Sequence, residues 1–120
     1  MPDSKLKILI IRLSSLGDIL LTTPVLRSLK RRYPDAEIDF LVRERYADVV
    51  RYNPHLSSVL MYENTASSQI RKSGYTHILD LQGNLRSKRI LSSVTVPVFR
   101  FRKHSFRKRL LVSTGINLLK

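Results

Sequence analysis

The chain has 120 residues, 42% hydrophobic and 26% charged, with four Gly, five Pro and no Cys. This is the composition of one folding domain rather than of a disordered or collagen-like chain, and the lack of Cys excludes a disulfide framework and a thiolate zinc site. Net charge is +13 and uneven, about +3 in residues 1–60 and +10 in residues 61–120, so an anionic partner is expected to meet the second half.

Lys7 to Arg12 is a short, largely β-branched apolar run without polar alternation, as expected of a central parallel strand covered on both faces. A small polar turn, Leu13 to Asp18, leads into a helical pattern from Ile19 to Tyr33. Pro24 requires that helix either to kink or to restart with Thr22 or Thr23 as its cap. Strands are then predicted at Glu37 to Val42, Ser58 to Tyr62, Tyr75 to Leu81 and Val94 to Phe101. Helices are predicted at Arg45 to Tyr52, Ala66 to Lys72, Leu85 to Ser93 and Ser105 to Val112. Strict β-α alternation at about 20 to 25 residues per unit implies an α/β fold, an open parallel sheet with helices on both faces. No apolar run approaches the ~20 residues that span a bilayer, and the first five residues carry no signal-peptide core, so a cytoplasmic location is expected. The end at Leu118-Leu119-Lys120, without a polar tail, reads as a domain cut short.

Ligands of open α/β sheets bind beyond the carboxyl ends of the strands, which directs attention to three segments. In Arg12-Leu13-Ser14-Ser15-Leu16-Gly17-Asp18 a strand turns into a helix through two hydroxyls and a glycine, a turn whose backbone amides can cradle an anion. It has one glycine where a dinucleotide fingerprint needs three, and no Gly-Lys-Ser/Thr of a P-loop. Asp18 there is either an N-cap or a general base that takes a proton from a substrate hydroxyl. In Asp80 to Arg89 an acid and a glycine again close a strand and a basic helix begins. This is either a tight turn capped by Asn84 with a solvated basic face, or a phosphate site. Finally Arg100, Arg102, Lys103, His104, Arg107, Lys108 and Arg109 are interleaved with Phe99, Phe101 and Phe106, a basic surface suited to phosphates, an anionic membrane or nucleic acid. His55, His77 and His104 are too scattered for a ligand set, so no metal or cofactor is expected.

KILIIRLSSLGDILLTTP at Lys7 to Pro24, followed by DLQGNLRS at Asp80 to Ser87, resembles the N-terminal domain of glycosyltransferase family 9, the ADP-heptose:lipopolysaccharide heptosyltransferases. The similarity continues through VFRFRKHSFRKRLL at Val98 to Leu111. The resemblance implies a Rossmann-like, acceptor-side domain over residues 1–120 of a GT-B enzyme, with the C-terminal nucleotide-sugar domain absent and the isolated domain inactive. It implies an inverting, metal-independent transfer of heptose from ADP-heptose to the phosphorylated inner core of lipopolysaccharide, at the cytoplasmic face of the inner membrane. Asp18 then matches the catalytic base, Ser14, Ser15 and Gly17 lie against the donor, and Arg86 and Arg107 face the acceptor. Many members carry a histidine three residues after the aspartate where this chain has Leu21, which leaves the acceptor sugar open. From the residues alone, the alternative is a small basic α/β module that binds nucleic acid.

Overall fold

A computed structural model describes residues 6–100 of the chain. Five strands, β1 (Lys7–Ile11), β2 (Glu37–Val42), β3 (Ser58–Met61), β4 (His77–Asp80) and β5 (Val98–Arg100), form one sheet in the order β3-β2-β1-β4-β5. Every pairing is parallel. The helices between them are α1 (Leu16–Leu20), α2 (Thr23–Arg32), α3 (Ala47–Val50), α4 (Ser67–Lys72) and α5 (Leu85–Ile90), with a 3-10 turn at Glu44–Tyr46 leading into α3.

The period of two along the strands builds two cores. Ile8, Ile10, Ile38, Phe40 and Val42 face one side with Ile19, Val25, Leu26, Leu29, Ala47 and Val50 from α1, α2 and α3. Leu9, Ile11, Leu41 and Ile78 face the other with Ile70 of α4 and Ile90 of α5. β1 is therefore covered on both faces, which explains its unbroken apolar run: Ile8 to Ile11 have no exposed surface. The chain builds β1, β2 and β3 outward on one side and then returns to place β4 against the other edge of β1, so the topological switch falls between β1 and β4.

Two predicted boundaries are corrected. Of the two readings of Ile19 to Tyr33 the chain takes the restart, giving two helices, but the first begins earlier than predicted, at Leu16. Thr22 turns its hydroxyl back to donate to the Ile19 carbonyl at 2.6 Å, and its amide reaches the same oxygen at 3.0 Å, tightening the end of α1. The chain restarts with Thr22 as N-cap and Pro24 within the first turn of α2, where its missing donor costs nothing. The last described strand starts at Val98 instead of Val94. Pro97 cannot donate to a ladder, and pairing begins when its carbonyl accepts from the Ile78 amide at 3.0 Å. The helix predicted over Ser105 to Val112 lies outside the described residues.

One buried polar cluster is structural. Asp39 of β2 accepts from the Tyr75 hydroxyl at 2.6 Å and from Ser58 at 3.1 Å, inside the α4/α5 core. Burial, then the hydrogen bond to Asp39 and its negative charge, push the Tyr75 phenol well above its ordinary value of 10.0. A raised folded pKa gives stability that is fully present below the unfolded value and is lost as pH rises beyond it. Tyr75→Phe is expected to cost about 1.5 to 3 kcal/mol at neutral pH, as for a bond to a charged acceptor. It is also expected to flatten the alkaline limb, which urea titrations between neutral pH and pH ~11 will read.

Candidate functional site

The carboxyl ends of the strands meet around the β1–β4 switch point, and the two loops singled out in the sequence are joined there. Ile11 and Asp80 are register partners at the ends of β1 and β4, and the Leu81 amide continues the ladder to the Ile11 carbonyl at 2.9 Å. Just past the strands, Gln82 Oε1 accepts from the Leu13 amide at 2.9 Å and from the Ser14 amide at 3.3 Å. Arg12 Nη1 donates to the Leu81 carbonyl at 2.6 Å, and Arg12 Nη2 donates to Asp18 Oδ2 at 2.7 Å.

Asp18 is 2% exposed and sits in the first turn of α1, whose N-cap is Ser15. It is therefore not the N-cap that its residue type suggested. Its carboxylate forms the buried ion pair with Arg12 and also accepts from Ser15 Oγ at 3.2 Å. A buried charge is tolerated only when paired and hydrogen-bonded, and the guanidinium supplies both. The Ser14–Ser15 peptide bond is cis.

The other residues of the first loop lie on its open side. Ser15 and Gly17 are exposed and Ser14 is half-buried. Gly17 has no positive φ, and a Cβ built on it meets no described atom within 4 Å. The fold thus does not require a glycine at that position. The expected amide cradle is only partly available, since Gln82 takes the Leu13 and Ser14 amides.

Asp80 organises the second loop from a fully buried position. Its Oδ1 accepts from the Gln82 and Gly83 amides at 3.1 and 2.9 Å, and its Oδ2 from Ser87 Oγ at 2.9 Å and from Arg100 Nε at 3.3 Å. Gly83, at φ 60°, takes the left-handed conformation that lets the chain turn there. Asn84 then caps α5 in a reciprocal pair with Ser87, the tight turn foreseen for this loop. Arg86, Lys88 and Arg89 are exposed on α5. Arg107 lies outside the described residues.

A third anchor comes from the loop after β2. The Arg43 amide donates to the Leu13 carbonyl at 3.4 Å, while Arg43 Nε holds Glu63 at 2.6 Å across the carboxyl ends of β2 and β3. That hydrogen bond draws the Glu63 carboxyl below the usual carboxylate range. Leu16, Leu20, Leu21 and Leu85 are exposed at this end of the sheet.

Arg12 and Gln82 were not selected from the sequence. For Arg12 a signal was present, an arginine closing a strand that reads as fully buried, since such a charge must find a partner. For Gln82 there was none, because its bonds span 68 and 69 residues. Among the described residues no group of three or more His, Asp or Glu could hold a metal, and no helix is long and apolar enough to cross a membrane.

The strand order and the carboxylate at the switch point define an open parallel, Rossmann-like α/β domain with a polar site at the carboxyl end of its first strand. No protein-family model matches the chain. It is similar to lipopolysaccharide heptosyltransferase 1 of Campylobacter coli, 29% identical over 112 residues that cover 86% of this chain and 33% of that protein. Its fold matches the glycosyl transferase family 9 structure from Veillonella parvula, with a TM-score of 0.70 and 18% identity over 91% of this chain and 43% of that one. It also matches the ADP-heptose lps heptosyltransferase II of Escherichia coli, with a TM-score of 0.71 and 23% identity over 88% of this chain and 33% of that one. The chain thus resembles a lipopolysaccharide heptosyltransferase in sequence and a family 9 glycosyl transferase in fold. The chain spans about a third of the length of the Campylobacter relative.

Proposed function

We propose that residues 1–120 form the acceptor-side, N-terminal domain of a glycosyltransferase that moves heptose from ADP-heptose to the phosphorylated inner core of lipopolysaccharide. The observation that carries this reading is Asp18, a buried carboxylate held at the end of β1 beside the switch point, in a chain similar to lipopolysaccharide heptosyltransferases. Asp18 takes the proton from an acceptor hydroxyl as its oxygen attacks the anomeric carbon of the donor. The bond from that carbon to the ADP phosphate oxygen breaks on the opposite face, so ADP leaves with the bonding pair and the configuration inverts. Ser14, Ser15 and Gly17 lie against the sugar-phosphate of the donor, and a second, nucleotide-sugar domain completes the cleft. Arg86 and Arg107 face acceptor phosphates, and the basic second half draws the enzyme to the anionic cytoplasmic face of the inner membrane. Nucleic-acid binding is not favoured, since net charge is its only support and the similar proteins are transferases.

Gly17 offers the test of the donor assignment. Alanine there meets open space and suits a helix better by about 0.5 to 1 kcal/mol, so Gly17→Ala is expected to leave the melting temperature unchanged or raised. If the donor lies against this turn, the same methyl raises the KM for ADP-heptose at least about tenfold, the cost of ~1.4 kcal/mol of lost binding, in a protein carrying both domains. An unchanged KM removes the turn from the donor site. The 120 residues alone are expected to give no turnover, because one domain cannot hold donor and acceptor together. Release of ADP from ADP-heptose by the isolated chain, dependent on acceptor, would contradict that.

A further inference from the structure

Gln82 belongs to the second loop, yet its side chain serves the first. The last amide of this run to reach a neighbouring strand is that of Arg12, which donates to the Leu41 carbonyl at 3.1 Å, and the amides of Leu13 and Ser14 would be left without strand partners. Both donate instead to the single oxygen Gln82 Oε1, at 2.9 and 3.3 Å. The carbonyl of the preceding residue, Leu81, receives Arg12 Nη1, whose other terminal nitrogen holds Asp18. Two consecutive residues of the second loop therefore carry two of the tethers of the first, one on its backbone and one on the arginine that grips its carboxylate. Gln82 is itself fixed, because Asp80 accepts from its amide at 3.1 Å. From Ser14 the chain has only Ser15, Leu16 and Gly17 before Asp18, so the direction in which it leaves Ser14 sets where the carboxylate arrives.

We propose that Gln82 is a positioning residue for Asp18, its side-chain carbonyl fixing the Leu13–Ser14 backbone so that the Asp18 carboxylate is presented at the β1–β4 switch point. This rests on the reading of Asp18 as general base. It gives the D-L-Q-G-N segment a task distinct from phosphate recognition, that of holding the loop that carries the base.

Gln82→Met keeps the length and volume but offers only a weakly accepting thioether, whereas Gln82→Glu keeps an oxygen in reach of both amides. NMR on the 120-residue chain reads the first consequence. In wild type, scalar couplings across hydrogen bonds connect the Leu13 and Ser14 amides to Gln82 Cδ, and their absence overturns the proposal without any variant. In Gln82→Met, exchange at these two amides is expected to rise about 10- to 100-fold while the Ile10 amide in the β1 ladder keeps its rate, and Gln82→Glu restores the slow exchange. The Asp18 carboxyl carbon signal is expected to move in Gln82→Met and to stay in Gln82→Glu. Unchanged exchange, or fast exchange with an unmoved Asp18 signal, overturns the positioning role. With both domains present, Gln82→Met is expected to lower kcat for heptose transfer about 100-fold with KM unchanged, and Gln82→Glu to recover most of it. A rise in KM alone places Gln82 in substrate binding instead. If the wild-type two-domain protein transfers no heptose, the proposed function fails, while the NMR measurements still decide whether Gln82 sets the position of Asp18.

Discussion

Asp18→Asn is expected to slow heptose transfer about 10²- to 10⁴-fold in a protein that joins this chain to the nucleotide-sugar domain of a relative, the range over which a positioned general base acts. Asparagine keeps the shape and an oxygen able to accept from Arg12 Nη2 and Ser15 Oγ, so the loop retains its hydrogen bonds and loses the negative charge and the group that can take a proton. The effect belongs in kcat, because an amide can still accept a hydrogen bond from the acceptor hydroxyl. Because the variant removes the ion pair to Arg12, the comparison requires a melting curve for the variant and assay well below its midpoint. Asp18→Ala loses the acceptor as well and is expected to melt lower than Asp18→Asn. Near-normal transfer by a folded Asp18→Asn protein would remove the base from the mechanism.

The ion pair itself carries the largest expected effect on stability. Arg12 and Asp18 have side-chain exposures of 5% and 3%, so removing one partner takes away the ion pair that offsets the burial of the other's charge. Arg12→Met or Asp18→Leu alone is expected to cost about 3 to 5 kcal/mol, a large fraction of the ~5 to 15 kcal/mol that holds a domain of this kind together. The double variant, Arg12→Met with Asp18→Leu, removes both charges and is expected to recover most of that loss. Urea denaturation of the four proteins gives the coupling directly. Equal, additive losses would mean that the two side chains act independently and that the guanidinium serves only the Leu81 carbonyl. Recovery in the double variant would also show that the pair is kept for something other than stability, since an apolar pair would serve the fold equally well.

How much of this was legible in the sequence follows from the range of the forces involved. β1 could be read because burial on both faces demands an uninterrupted apolar run, and Ile8 to Ile11 provide one. The alternation of strands and helices gave the parallel sheet, since parallel strands need crossovers. The restart of the helix at Thr22 followed from Pro24. The start of β5 was misplaced because Val94 and Val96 favour strands, while Pro97 defers pairing to its own carbonyl. At the site, Asp18 and the loop around it stood out by residue type, but its burial against Arg12 did not. Residue type left a cap and a base equally open, and the helix began two residues before the aspartate, with Ser15 as its cap. Asn84 as cap was readable from residue type alone, whereas the bonds of Gln82 to Leu13 and Ser14 exist only once β1 and β4 lie side by side. Local chemistry was visible, and what joined the two loops was not.

The central claim is that Asp18 activates an acceptor hydroxyl for a single displacement on ADP-heptose. It is tested most directly by the anomeric configuration of the product, read by NMR on the heptose that the two-domain protein adds to a phosphorylated inner-core acceptor. The account predicts a product inverted relative to the donor, formed by wild type and lost in Asp18→Asn. A product of retained configuration, or an inverted one that still forms at the wild-type rate in the folded Asp18→Asn variant, would contradict it.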